Sequence, residues 1–201
     1  GKEVHAEGAL DISPSSRSTR LQMATKLSVD KGVVQLRSET EDKSVQAAFE
    51  FPFDRNAKGT FSATSKGFAI ERIIPSLSCV TNTSALSYSF PVVAPLTGAG
   101  SLDIESLMVG CAPYGLTMPQ PTKLPITQGT LAFDALELTN NPSTIRFQGG
   151  VSLEKGFQLD ARSHLSLESL LGLVRSIDDI KGDLSTELSL RGKLGEPTIS
   201  G

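Results

Sequence analysis

The chain has 201 residues, 38% of them hydrophobic and 20% charged, with a net charge of -3. That is enough length and apolar content for one large β domain. The balance offers no basic footprint to neutralise phosphates, which excludes nucleic acid as a partner. No apolar run approaches the roughly 18 residues a membrane-spanning helix needs, so no transmembrane segment is expected in this stretch. The chain opens at Gly1-Lys2-Glu3-Val4, without an initiator Met or a charged-then-apolar leader, and ends at Ser200-Gly201. We read residues 1–201 as a single β domain cut from a longer protein.

Alternation of apolar and polar residues is the dominant signal. Leu21, Met23, Thr25, Leu27 and Val29 share one face of a strand, and Gln22, Lys26 and Ser28 share the other. Asp30-Lys31-Gly32 reads as a hairpin turn into Val34 and Leu36. Glu39 to Lys43 is a charged turn, after which Val45, Ala47, Phe49, Phe51 and Phe53 form the next apolar row. Asp54 to Gly59 reads as a second hairpin loop, leading to Phe61 and Ala63. Ser65-Lys66-Gly67 is expected to turn the chain again, toward Phe68 and Ile70.

From Pro75 to Pro125 the texture changes. Pro75, Pro91, Pro95, Pro113, Pro119, Pro121 and Pro125 all fall here, and proline cannot donate to a sheet ladder. The composition predicts an irregular excursion over 75–125, with short edge strands at Leu86-Tyr88-Phe90 and Leu102-Ile104. Cys79 and Cys111 both sit in it. A bridge between them would limit unfolded-state entropy and require an oxidising compartment; the alternative is two buried thiols.

Regular alternation resumes at Leu131 and Phe133. Asn140-Asn141-Pro142 reads as a turn, Ile145 and Phe147 lead to Val151 and Leu153, and Glu154-Lys155-Gly156 reads as a hairpin turn before Phe157, Leu159 and Ala161. One helix is expected over 167–177, where Leu170, Leu171, Leu173, Val174 and Ile177 fit a 3.6-residue period, with Ser166 as N-cap. Leu184, Thr186, Leu188 and Leu190 return to strand.

Catalytic constellations are not found. His5 and His164 are too few and too far apart to begin a zinc site. There is no Gly-x-Ser-x-Gly elbow and no phosphate-cradling glycine loop. Asp178-Asp179 lacks a third carboxylate at loop spacing. We expect no enzyme, no metal and no cofactor.

The final segment carries a pattern. A strand, Asp183 to Arg191, closes at Gly192; Lys193-Leu194-Gly195-Glu196-Pro197 turns; then Thr198-Ile199-Ser200-Gly201 ends on apolar-x-Gly. These last 22 or so residues, Ile180 to Gly201, resemble the repeat of the TamB family of AsmA-like envelope proteins. The resemblance implies a periplasmic segment of an inner-membrane-anchored protein, whose long antiparallel sheet curls into a trough with an apolar interior, a β-taco. It implies phospholipid transport between the two membranes, or assembly of outer-membrane proteins beside an Omp85-type barrel partner. The cargo would be phospholipid or an unfolded outer-membrane β-strand. A sheet with one apolar face must cover that face or use it. The expected groove lining is Leu21, Met23, Leu27, Val29, Phe49, Phe51, Phe53, Phe133, Phe147 and Leu159. The same alternation also fits a structural or adhesive β-sandwich whose core is closed.

Overall fold

The computed structural model describes residues 4–12, 21–69, 79–111, 115–167 and 181–201. The chain is mainly β, and its strands join in one antiparallel sheet. The first six run as a plain meander: β1 (Val4–Ile12), β2 (Leu21–Asp30), β3 (Val33–Thr40), β4 (Val45–Pro52), β5 (Lys58–Ala69) and β6 (Val80–Pro91). A 3-10 turn at Pro95–Thr97 leads to β7 (Ala99–Val109). The next four strands are short: β8 (Leu116–Thr117), β9 (Thr122–Thr127), β10 (Thr130–Ala132) and β11 (Glu137–Asn140). The sheet then continues through β12 (Ser143–Ser152), β13 (Gly156–Ser166), β14 (Asp183–Lys193) and β15 (Glu196–Ser200).

The four short strands fill only two lanes. β8 and β9 pair with β7 at different heights, and β10 and β11 do the same with β12. Across the middle, β8 pairs with β11 and β9 with β10. Where each lane is interrupted, the segments 118–121 and 133–136 leave the ladder. They bring Met118, Phe133 and Leu136 against Ile104, Leu124 and Phe147. Leu124 has no exposed surface. A second cluster, Leu116, Leu138 and Leu165, lies beside it.

Turn chemistry explains much of the register. Lys31 (φ 46°) and Gly32 (φ 79°) both have positive φ in the two-residue β2–β3 turn, the geometry whose twist matches antiparallel strands. The turns read at 54–59, 140–142 and 154–156 likewise lie between paired strands. Ser65-Lys66-Gly67 does not turn the chain. It is a β-bulge within β5: from Ser65 to Phe68 that strand advances three residues while β6 advances two, from Ser84 to Asn82. Gly67 takes φ 58°, and the extra residue keeps Phe68 on the same face as Ser65.

The Pro-rich stretch also differs from expectation. β6 and β7 are full-length internal strands, not an excursion. Four prolines sit at a strand end or outside the strands: Pro91 ends β6, Pro95 starts the 3-10 turn, and Pro119 and Pro121 lie in the break between β8 and β9. Pro125 is inside β9 and pairs in register with Ser101 of β7, whereas pairing of β9 with β10 reaches only Thr127 and Ile126 and stops before it. Cys79 and Cys111 are bonded. Because Val80 pairs with Val109, the bridge staples the open end of the β6–β7 hairpin rather than tying off irregular chain. The helix expected over 167–177 lies outside the described residues beyond Leu167.

Candidate functional site

Strand pairing places residues in rows that share a face. One row crosses every lane: Ala6, Leu27, Leu36, Phe49, Phe61, Tyr88, Gly100, Ile126, Leu131, Val151, Phe157, Gly192 and Pro197. We call this the inner face. Toward one rim, Val29, Val34 and Phe51 form the neighbouring row, continued at Phe90. The opposite, outer face carries Lys26, Arg37, Gln35, Glu50, Thr60 and Ser62 over the same strands.

The sheet curls toward its inner face. Phe49, Phe51, Phe61, Tyr88, Phe90, Pro95 and Leu153 line one concavity of about 400 Å3. Leu153 directly follows β12, six lanes from β4. At about 4.8 Å per lane those residues would lie about 29 Å apart in a flat sheet. Sharing one pocket requires the face between them to be concave.

Aromatic rings build the pocket's floor. Phe49 and Phe90 stack with centroids 6.0 Å apart, Phe49 and Phe51 at 6.1 Å, and Tyr88 and Phe90 at 5.7 Å. These separations suit offset stacking. Gly59 makes the stack possible, since a Cβ there would run into the Phe90 ring. The one polar atom among the rings is already engaged: the Tyr88 hydroxyl donates to the Pro95 carbonyl (2.8 Å) and accepts from the Gly98 amide (2.8 Å). The pocket therefore presents hydrocarbon alone.

Of the residues singled out from sequence, Phe49 and Phe51 line this pocket. Leu27 and Val29 lie on the same face and are partly exposed. Met23 is buried against Phe68, with Val45 beside it. Phe133 and Phe147, also partly buried, pack against the buried cluster around Leu124. Leu159 sits between Gly149 and Leu190 on the inner face near the far edge. Leu21 pairs with Ile12 in the backbone ladder. Phe53 stands in the turn after β4 and is exposed. Phe61, Tyr88, Phe90 and Leu153 were not singled out, although Leu86-Tyr88-Phe90 alternates plainly; Pro91 and Pro95 masked that signal.

Sequence reasoning also missed a change of character across the inner face. Away from the aromatic rim, over β2–β6, the rows turn hydroxylic. Thr25 pairs its hydroxyl with Ser38 (3.0 Å), and Ser65 with Ser84 (3.3 Å). Each hydroxyl satisfies its neighbour, which removes most of the desolvation cost of an apolar ligand lying across them.

The outer face is held by charge. Arg146 pairs with Glu137 and Arg162 with Glu187 across adjacent strands. Asp160 accepts hydrogen bonds from the Ser189 hydroxyl (2.6 Å) and the Arg191 guanidinium (2.7 Å), which hold its carboxyl below the usual aspartate range. Ser101 and Lys123 do the same for Asp103. Among the described residues no group of three or more His, Cys, Asp or Glu is placed to hold a metal ion.

No protein-family model, no curated protein and no solved structure matches this chain.

Proposed function

We propose that this chain is a TamB-like segment of an extracytoplasmic envelope protein, and that its inner face carries phospholipid acyl chains between membranes. One observation carries the reading. An apolar row crosses every lane of a single curled sheet, yet Leu27, Leu36, Phe49, Phe51 and Phe61 are only partly buried. A closed sandwich needs a second sheet over that face, and the described strands all join one sheet. The Cys79–Cys111 bond supports an oxidising compartment, in keeping with a periplasm.

The energetics suit hydrocarbon. Each acyl CH2 withdrawn from water contributes about 0.8 kcal/mol. Ten of them contribute about 8 kcal/mol before ordering costs, without a directional bond that would trap a sliding chain. A second reading, capture of an unfolded outer-membrane strand beside an Omp85-type barrel, draws on the far edge. Leu184, Leu188 and Ile199 are exposed on β14 and β15, a setting suited to strand addition.

Native mass spectrometry of the purified chain, with a photoreactive residue in place of Phe51, tests the reading. We expect co-purified phospholipid and a crosslink to its acyl chain. Lipid-free protein with no crosslink would contradict it, and a crosslink to peptide would favour the second reading.

A further inference from the structure

The hairpin ends fall on two rims. One rim gathers the turns at 31–32, 53–57, 92–98, 128–129, 153–155 and 194–195. Four of these six turns expose large apolar side chains: Phe53, Val93 and Leu96, Leu153, and Leu194, each between 43% and 69% exposed. The remaining exposed large apolar residues, Leu184, Leu188 and Ile199, lie on β14 and β15. No other turn among the described residues carries one. Turn residues are normally polar because they meet water, so this row of apolar tips among the described turns requires an explanation.

The rim is built rather than loose. Backbone hydrogen bonds stitch successive turns together: the Phe53 amide to the Gly32 carbonyl (2.7 Å), Val92 to Ala57 (3.3 Å), Gly129 to Gly98 (2.8 Å) and Leu153 to Gly129 (3.1 Å). Gly129 is confined to glycine twice over: its φ is 69°, and a Cβ there would strike the Leu96 carbonyl. From Gly32 to Leu153 the turns are held in one hydrogen-bonded ribbon.

We propose that this rim contacts the surface of a phospholipid bilayer, with its apolar tips entering the headgroup–acyl boundary. Three observations favour a bilayer over a protein partner. The tips stand on separate turns, two lanes apart from Phe53 to Leu96 and from Leu153 to Leu194 and four lanes apart between Leu96 and Leu153, so they form an interrupted line that a fluid surface fills more readily than a rigid one. Basic residues flank three tips, Arg55 after Phe53, Lys155 after Leu153 and Lys193 before Leu194, where long side chains can reach headgroups while their stems follow the tip inward. The rim is also the mouth of the aromatic pocket, because Leu153 belongs to both. A rim seated in lipid would open the pocket directly onto acyl chains.

The charge on this rim sets the lipid requirement. Lys31, Arg55, Lys58, Lys155 and Lys193 are nearly balanced by Asp30, Asp54, Glu154 and Glu196. Apolar insertion, not attraction to anionic headgroups, would carry the binding. Neutral vesicles should serve about as well as anionic ones, and salt should not release the protein.

Vesicle flotation of the whole chain tests this, using phosphatidylcholine vesicles with and without phosphatidylglycerol. We expect flotation with both, retained at about 1 M salt, where the Debye length is about 3 Å. The triple variant Phe53→Ser, Val93→Ser, Leu96→Ser should reduce flotation at least tenfold with an unchanged melting curve, since all three side chains are exposed. Absence of flotation by the native chain, flotation only with anionic vesicles at low salt, or equal flotation of the variant would each overturn the proposal. The pocket mouth rests on the acyl-chain reading above; rim binding does not. Phe61→Asp, deep in the pocket, should abolish acyl crosslinking yet leave flotation intact, so failure of one reading is distinguishable from failure of the other.

Discussion

Two stretches of the same sheet treat their inner face differently. In β2–β6 every lane is one long strand, and Leu27, Leu36, Phe49 and Phe61 stay partly open. In β7–β12 two lanes are interrupted, and the released segments fold Met118, Phe133 and Leu136 onto Ile104 and Leu124, which become buried. The apolar content is similar, but the backbone's continuity is not. An unbroken lane can cover its inner face only by curling, whereas a broken lane supplies its own cover. The first stretch is thereby suited to a guest, and the second supplies stability.

That contrast can be broken by substitution. Leu124→Ala should cost about 3–4 kcal/mol, because the side chain is fully enclosed and its loss leaves a cavity. Leu36→Ala, in the open stretch, should cost about 1 kcal/mol, since the side chain is only partly buried and its loss leaves no closed cavity. Urea midpoints at constant slope measure both; equal losses would mean that the first stretch is covered as well.

Replacing Cys79 and Cys111 together by serine should cost about 3–4 kcal/mol on the chain-entropy account, given their separation of 32 residues. The loss should appear as faster hydrogen exchange at the open end of β6–β7, leaving the aromatic pocket near the other end protected. Uniform exchange across both ends would contradict the view that the bridge staples one hairpin.

Gly67→Ala isolates the bulge. Nothing lies within 4 Å of the added Cβ, so only the φ of 58° opposes it. About 1–2 kcal/mol is expected, read from the melting temperature. No change would mean that the bulge is not needed to keep Phe68 inward.

The smallest effect is on acid stability. Asp160 titrates below its ordinary value because Ser189 and Arg191 hydrogen-bond its ionised form. Its contribution is therefore complete above an unfolded value of about 3.9 and is lost as pH falls through the lower folded value. Asp160→Asn should lower the melting temperature slightly at neutral pH, where the ionised carboxylate contributes, and change it little in strong acid, so that the fall below about pH 4 is flattened.

The strands of the open stretch were legible because period-2 alternation survives in Leu21 to Val29 and Val45 to Phe53, and Lys31-Gly32 names its own turn. The middle was not. Seven prolines argued against strands, yet of those described all but Pro125 sit at strand ends, in turns or in breaks, and Pro125 pairs with β7 while the β9–β10 pairing stops short of it. Proline forbids only the hydrogen bond at its own nitrogen, and which nitrogens need one depends on pairing partners far along the chain. The site was half legible for the same reason. Phe49 and Phe51 announce themselves, but Phe90 joins them only over Gly59 of the intervening strand, and Leu153 only because the sheet curls. Phe133 and Phe147 are partly buried like them, but they pack against Leu124 beside the broken lanes, a contact that alternation does not announce. Ser65-Lys66-Gly67 has turn composition, and only the ladder with β6 shows it to be a bulge.

The central claim is that the inner face, and not the outer, meets lipid hydrocarbon. Thr60 and Phe61 are neighbours in β5 that point to opposite faces. Photoreactive residues placed singly at these two positions, in protein loaded with phospholipid, test the claim most directly. We predict acyl crosslinks from position 61 and none from position 60. Equal labelling at both positions, or none at either, would contradict it.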